Sequence, residues 1–471
     1  MANQKLKEAN NKFAFEEFKK DADRGHRRCQ LQVAMMYENC IGTEMNLKKA
    51  FEYYEKAANQ GCAISQTCLG EMYENGIGTE KNLKKAFEYY EKAANQGYAN
   101  AQFRLGILYY DGEVIEQNYI KAFMYLEKSA NLEDADNLFK LADMYFHGLG
   151  TEKNLDKAFE YLEKAAHQGH TISQFRLGIM YYDGEIIEKN FIKAFEYLEK
   201  SANLEDADNL FKLADMYFHG LGTEKNLEKA FEYLEKSANQ GHLDSQFKLA
   251  DMYSNGIGTK KNPEKAFKYC EKAANQGCAQ SQDKLAYLYS NGIGTEKNPE
   301  KAFEYCEKAA NQGYSKSQDN LAYLYSTGTG TEKNLKKAFE YCEKAANQNH
   351  PKSLTELGIM YFNGEGTARN LQKGIEYYQK AANLREPKAL TKLGIMYFNG
   401  NGIAKNVEKG IEYLDNAVNQ GYMPAIIEIG KIMQNKGTEI NYVPKITLVK
   451  RQNDLDITDS SVFSPAKKQA I

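Results

Sequence analysis

The sequence lacks an excess of charge of either sign and lacks any long apolar run. Its 61 lysines and arginines nearly balance 64 aspartates and glutamates, which leaves a formal net charge of -3. Nucleic acids and anionic membranes attract proteins through basic residues, so neither is an expected partner. No stretch approaches the roughly 18 apolar residues of a membrane helix, and the first thirty residues lack the apolar core of a signal peptide. The sequence therefore predicts a cytoplasmic protein without membrane insertion, which is also compatible with delivery into a host cell.

The sequence also lacks the residue patterns of common metal, cofactor and catalytic sites. Its eight cysteines include no CxxC pair and no framework that recurs along the chain, so reduced thiols are expected. His147 and His219 recur 72 residues apart without a second ligand at metal-binding spacing. No glycine-rich phosphate loop follows a predicted strand. We therefore predict no metal site, no cofactor and no catalytic residue.

The sequence does contain a strict repeat of 36 residues. An Asn follows nine residues after each repeated Tyr, and a second Tyr follows after sixteen. Apolar residues make up 42% of the chain, which is enough to form a core. The eleven repeated tyrosines are Tyr37, Tyr73, Tyr109, Tyr145, Tyr181, Tyr217, Tyr253, Tyr289, Tyr325, Tyr361 and Tyr397.

Each repeat has the pattern of two helices, which we call helix A and helix B. In the second repeat, SQTCLGEMYEN at 65–75 has helical apolar spacing and is followed by Gly76, a typical left-handed C-cap. Asn82 is a favourable N-cap for LKKAFEYYEKAANQ, which Gly97 ends. Neither helix buries its apolar stripe alone, so successive pairs must stack on their neighbours. The pattern predicts an all-α solenoid of stacked antiparallel helix pairs.

The string LGEMYENGIGTEKNLKKAFEYYEKAANQG resembles the Sel-1-like repeat, a relative of the tetratricopeptide repeat. The resemblance covers residues 28–423 and implies a right-handed superhelix. It departs from the family pattern at Cys40, at Val114 and Ile186 in the interhelical loop, and at Gly374 and Gly410 in helix B. These departures affect local geometry rather than the fold.

The segments outside the eleven repeats are expected to cap the array or to extend from it. Residues 1–27 are predicted to form an N-terminal capping helix, and residues 424–437 a C-terminal capping half-repeat. Residues 438–471 lose the pattern and are predicted to be a mostly irregular or disordered tail.

The resemblance to tetratricopeptide repeats implies a ligand groove on the concave face formed by the A helices. Two interpretations of this face remain open: an apolar groove for a peptide or helix, or packing between neighbouring A helices. The binding candidates on it are Phe103, Ile107, Tyr110, Phe139, Asp143, Phe146, Phe175, Ile179, Tyr182, Phe211, Asp215, Phe218, Tyr287 and Tyr323.

The resemblance implies a non-enzymatic scaffold or adaptor whose partners are other proteins. An alternative is a hydrolase like the penicillin-binding or β-lactamase activity attributed to cysteine-rich relatives. The missing export signal and cysteine framework count against that alternative. A third hypothesis is a glycan- or cell-wall-linked regulator, for which Tyr287 and Tyr323 are the supporting residues.

Overall fold

A computed structural model describes residues 2–184, 186–204 and 206–435, which form two compact units. Unit 1 comprises residues up to 245 together with 257–259, and unit 2 comprises 246–256 and the residues from 260 onward. These described residues contain 24 α-helices, two short 3-10 helices and no β-strand. The prediction of an all-α fold of stacked helix pairs is confirmed. The predicted tail at 438–471 lies outside the described residues.

The helices alternate between A and B types along the chain, after a first helix that precedes the repeats. Unit 1 contains α1 (Ala2–Asp23), α2 (Arg27–Glu38), α3 (Leu47–Asn59), α4 (Ala63–Asn75), α5 (Leu83–Asn95), α6 (Ala99–Asp111), α7 (Tyr119–Lys128), α8 (Ala135–His147), α9 (Leu155–His167), α10 (Thr171–Asp183), α11 (Phe191–Lys200), α12 (Ala207–His219) and α13 (Leu227–Asn239). The units divide within α14 (Leu243–Asn255). Unit 2 contains α15 (Pro263–Asn275), α16 (Ala279–Asn291), α17 (Pro299–Asn311), α18 (Ser315–Thr327), α19 (Leu335–Asn347), α20 (Pro351–Asn363), α21 (Leu371–Asn383), α22 (Pro387–Asn399), α23 (Val407–Val418) and α24 (Met423–Asn435).

Every B helix of the eleven repeats begins at a capping asparagine. In each, the Asn Oδ1 accepts a hydrogen bond of 2.8–3.1 Å from the backbone N–H three residues later. Pro263 and Pro299 occupy the first helical turn, where a missing N–H has little cost. At the end of helix A, Gly76 has a φ of 72°, the left-handed conformation that favours glycine. Local sequence signals therefore set the helix ends.

The core of each repeat is built on its repeated tyrosine. All eleven stack on the Tyr sixteen residues later, with ring centroids 5.6–6.1 Å apart. A Lys twelve residues after each core Tyr lies over its ring at 4.7–5.4 Å. These contacts join helix A to helix B within a repeat.

Small residues in helix A allow the two helices to approach closely. A Cβ added to Gly70 would lie 2.4 Å from Cε1 of Tyr90, and one added to Gly106 would lie 2.8 Å from Cγ of Leu126. Tyr90 and Leu126 are fully buried. The glycines therefore make room for large core side chains of helix B.

Helix B is shorter in two repeats. α7 and α11 end after ten residues and are followed by 3-10 turns at Ala130–Leu132 and Ala202–Leu204. Ser129 Oγ donates a hydrogen bond of 3.0 Å to the carbonyl of Leu126, a contact that competes with continuation of the helix. Glu133 stands where most other repeats have glycine and has a φ of 50°. These two repeats therefore depart from the pattern of the others.

Candidate functional site

The candidate residues of unit 1 lie on one face of α6, α8, α10 and α12, and they differ in exposure. Asp143 and Asp215 are buried. The ten apolar and aromatic candidates are half-buried: Phe103, Ile107, Tyr110, Phe139, Phe146, Phe175, Ile179, Tyr182, Phe211 and Phe218. This face is therefore partly covered by contacts between neighbouring A helices and partly open.

Asp143 connects three successive A helices. Tyr110 of α6 donates its hydroxyl to Asp143 Oδ2 at 2.7 Å, and Arg176 Nη1 of α10 donates to Oδ1 at 2.7 Å. Burial alone would raise the pKa of the Asp143 carboxyl, but the hydrogen bonds from Arg176 and Tyr110 lower it below its ordinary value. Asp143 is therefore an ionised bridge between repeats.

Residues 104–170 recur almost unchanged at 176–242, and this duplicated block repeats part of the arrangement. Tyr182 donates its hydroxyl to Asp215 Oδ2 at 2.5 Å, and His219 Nε2 lies 3.4 Å from Asp215 Oδ1. Burial and the Asp215 carboxylate raise the pKa of the Tyr182 hydroxyl, so it stays protonated and donates. Lys212 Nζ lies 4.2 Å from the Tyr182 ring centroid, a cation–π contact.

The phenylalanines of α8 and α12 also contact the following repeat. Phe139 packs on His170 with ring centroids 4.7 Å apart, and the guanidinium carbon of Arg176 lies 4.8 Å from the Phe139 centroid. Phe211 packs on His242 at 4.8 Å. Part of the aromatic surface on this face therefore serves packing between repeats.

An open cavity remains between α8, α10 and α12. Its volume is about 470 Å³, and its apolar lining includes Phe146, Phe175, Ile179 and Phe211. All four are among the sequence candidates, and they come from three successive repeats. The structure thus brings this subset together, whereas the candidates on α6 lie outside the cavity.

The charged groups at the rim of this cavity have partners within unit 1. Arg176 pairs with Asp143, Lys212 Nζ lies 3.4 Å from Asp183 Oδ1, and Asp208 Oδ1 lies 3.0 Å from His242 Nε2. A ligand in the cavity therefore meets an apolar floor and charges that are already paired.

Sequence reasoning missed a histidine that forms a hydrogen-bonded set at the start of α10. His170 Nδ1 lies 2.8 Å from Ser173 Oγ and accepts from the Ser173 backbone N–H at 3.2 Å, while His170 Nε2 lies 3.3 Å from Asp136 Oδ1. The set resembles a nucleophilic triad in composition, but Ser173 is fully buried. Burial lowers the pKa of His170, which keeps Nδ1 free to accept. Its role in the structure is an N-cap, and the serine three residues later was the available signal.

The remaining candidates, Tyr287 and Tyr323, lie on A helices of unit 2. They are 60% and 65% exposed. Nearby, Asp283 is buried and accepts hydrogen bonds from Ser317 Oγ at 2.8 Å and Asn320 Nδ2 at 3.2 Å. The Tyr287 and Tyr323 rings are thus exposed to solvent, while the Asp283 carboxylate is hydrogen-bonded to the neighbouring α18.

The cysteines and acidic side chains of the described part of the chain form no further site. All eight cysteines are free thiols, and Cys270, Cys306 and Cys342 are buried. Within residues 2–435 as described, no group of three or more His, Cys, Asp or Glu side chains is placed to hold a metal ion. No helix described there has the length and apolarity needed to cross a bilayer.

Comparison with known families identifies the repeat. The Sel1 repeat model matches eleven segments of the chain. These are residues 27–62, 63–98, 99–134, 138–170, 171–206, 210–242, 243–278, 279–314, 315–350, 351–385 and 387–422. A comparison with curated proteins gave no significant match.

Two solved structures of similar fold come from bacteria. One is a protective antigen present in uropathogenic Escherichia coli strains, which displays an SLR fold. It is 30% identical with a TM-score of 0.75, and the alignment covers 90% of this chain and 91% of that one. Another is a Sel1 repeat protein from Oxalobacter formigenes, 27% identical with a TM-score of 0.48, covering 66% of this chain and 89% of that one. Solenoids of this kind typically act as protein-interaction scaffolds. The chain belongs to the Sel1 repeat family.

Proposed function

We propose that the chain is a non-enzymatic scaffold that binds a peptide or helical segment of another protein through the A-helix face of unit 1. The observation that carries the proposal is the cavity between α8, α10 and α12. Its volume of about 470 Å³ lies within the usual range of ligand sites. Its lining joins aromatic and aliphatic side chains from three repeats, as an interaction groove requires.

The chemistry of the cavity favours a large apolar side chain as the group that enters it. Phe175 and Ile179 form one turn of its floor, and both are half-buried in the free chain. The rim charges are paired within the chain, so an entering charge would have to displace an existing partner. An apolar anchor instead removes exposed aromatic surface from water. The partner is therefore a segment that presents at least one Phe, Leu, Ile or Met side chain.

The duplicated block supplies a matched control for testing this proposal. Ile107 and Ile179 occupy the same position in nearly identical segments, and both are half-buried, but only Ile179 lines the cavity. Ile107→Ser and Ile179→Ser should therefore cost similar stability. We expect only Ile179→Ser to weaken binding, by about tenfold or more.

The experiment is selection from a displayed random peptide library, followed by titration of the selected synthetic peptides against both variants. Selected peptides should share a large apolar residue at a fixed position and should slow amide exchange in α8, α10 and α12. Equal loss of binding in the two variants, or peptides without an apolar preference, would contradict the proposal.

A further inference from the structure

The A-helix face of unit 2 exposes a pair of tyrosines in successive repeats. Tyr287 of α16 and Tyr323 of α18 stand two residues before the core Tyr of their repeats and are 60% and 65% exposed. At the same position in unit 1, Ile107 and Ile179 are half-buried. The residues one turn before and after each ring on the same helix face are Asp and Ser, so the rings do not belong to a continuous apolar stripe such as an amphipathic helix would require.

The packing of α16 against α18 fixes the spacing of this pair. Asp283 of α16 accepts a hydrogen bond from Ser317 of α18 at 2.8 Å and pairs with Lys316 Nζ at 3.0 Å. Packed helices lie about 8–10 Å apart, so equivalent residues on them are separated by a similar distance. One turn of polyproline II helix advances by about 9 Å, because it has three residues of 3.1 Å rise. Two prolines on one edge of such a segment therefore match the two tyrosines.

The face becomes acidic beyond Tyr323. A cavity of about 410 Å³ next to this ring is lined by four carboxylates and two lysine ammonium groups. Lys388 is paired with Glu356 at 2.5 Å. A surplus of carboxylates therefore faces the space at the end of the tyrosine pair, and this surplus complements a cationic side chain.

We infer that Tyr287 and Tyr323 form a docking track for an extended, proline-containing protein segment that ends in Arg or Lys. The prolines pack on the two rings, and the basic side chain enters the acidic cavity beside Tyr323. A neutral glycan would stack on the rings but leave the surplus negative charge of the cavity unneutralised. This inference rests on the proposed function because it uses the same face of the A helices, but it concerns different repeats and a different ligand chemistry.

The test is fluorescence anisotropy with a fluorescein-labelled peptide of nine prolines followed by one arginine. A peptide of nine glycines and one arginine carries the same charge without the rigid conformation and serves as the control. We expect the proline peptide to bind at least tenfold more tightly, and its affinity to fall as salt is raised. Tyr287→Ser together with Tyr323→Ser should lower its affinity by about tenfold or more. Since both side chains are exposed, far-UV circular dichroism should be unchanged.

Two further variants separate the contribution of the acidic cavity to binding from that of the unit 1 groove. Glu365→Gln, in the acidic lining, should weaken the arginine-ended peptide and leave a peptide of nine prolines ending in citrulline unaffected. Ile179→Ser should leave proline-peptide binding unchanged, which distinguishes failure of this inference from failure of the unit 1 groove. Equal binding of the proline and glycine peptides, full binding by the double tyrosine variant, or displacement by a neutral oligosaccharide would overturn the inference.

Discussion

Asp143 is the residue whose replacement tests the contacts between repeats most directly. Its carboxylate accepts hydrogen bonds from Tyr110 and Arg176 in the repeats on either side. Hydrogen bonds to a charged group contribute about 1.5–3 kcal/mol each. Arg176 is 38% exposed and regains water when the carboxylate is removed, so the two contributions do not add in full. We expect Asp143→Ala to lower the local free energy of unfolding by about 2–3 kcal/mol.

Native-state hydrogen exchange is the appropriate measurement, because a long repeat array need not unfold in one two-state step. Protection should fall in α8 and α10, which Asp143 joins, and change little in α2 and α4. Asp136→Ala is the matched control on the same helix: Asp136 is 76% exposed, and its Oδ1 lies 3.3 Å from His170 Nε2. An exposed pair of this kind contributes about 0–1 kcal/mol, so its loss should be small.

A double-mutant cycle isolates the ion pair from the rest of the effect. Asp143→Ala, Arg176→Ala and the double variant should give a coupling free energy of about 1–2 kcal/mol. The contact of Arg176 with the Phe139 ring cancels in this cycle, because it is lost in both legs that remove the arginine. A coupling below about 0.3 kcal/mol would refute the bridge between repeats.

The same carboxylate predicts a pH dependence. Hydrogen bonds from Arg176 and Tyr110 outweigh burial and hold the pKa of Asp143 below its ordinary value. A carboxyl whose folded pKa is lowered stabilises the fold fully above its unfolded pKa of about 3.9 and loses that contribution as pH falls through the folded pKa. The stability difference between the natural chain and Asp143→Asn should therefore be constant near neutral pH and shrink below about pH 4. An unchanged difference down to pH 2 would contradict this assignment.

Three further predictions concern packing, backbone conformation and thiol chemistry. Gly70→Ala puts a methyl group 2.4 Å from a ring carbon of Tyr90 and should lower the free energy of unfolding by about 1–3 kcal/mol. Gly430→Ala meets no atom within 4 Å and should stabilise α24 by about 0.5–1 kcal/mol. Chemical denaturation combined with hydrogen-exchange mapping measures both effects. Glu133→Gly removes a side chain from a backbone with a φ of 50° and should stabilise by up to about 1 kcal/mol, seen as slower amide exchange in the flanking helices. Cys40 is exposed and should react with a thiol reagent in the native chain, while burial raises the pKa of Cys270 to about 12 and should delay its reaction until unfolding.

The fold was predictable because its signals are local and repeated. A capping Asn such as Asn82 and a left-handed Gly such as Gly76 mark helix ends within a few residues, and a period of 36 residues leaves few alternatives to stacked pairs. The early end of α7 was harder to predict from the sequence. Its sequence has Ser129, which bonds a carbonyl of its own helix, and Glu133 in place of glycine. Neither feature ends a helix by itself, because α13 keeps thirteen residues with Ser237 and α21 keeps thirteen with Arg385.

The candidate site was predictable only in part. Helical spacing placed Phe175 and Ile179 on the candidate binding face of helix A, but their exposure depends on how closely the next A helices approach. Asp143 was a binding candidate, yet it is buried between residues 33 positions away on either side. The sequence pattern repeats within each pair of helices, whereas this contact extends over three repeats. Contacts of this kind depend on how successive repeats stack, which the 36-residue pattern does not specify.

The duplicated block shows why sequence identity alone does not define the groove. Residues 104–170 and 176–242 differ at only 8 of 67 positions, yet the cavity lies at the second copy. Phe146 completes its lining from the preceding repeat, and the residue 72 positions earlier is Glu74, which accepts a hydrogen bond from Tyr90 at 2.6 Å. Next to the first copy, the Glu74 carboxylate, which is hydrogen-bonded to the buried Tyr90, thus stands in place of the Phe146 ring. The lining of this face at one repeat therefore depends on the repeat before it, and we expect a ligand that contacts Phe146 together with Ile179 to distinguish two almost identical segments.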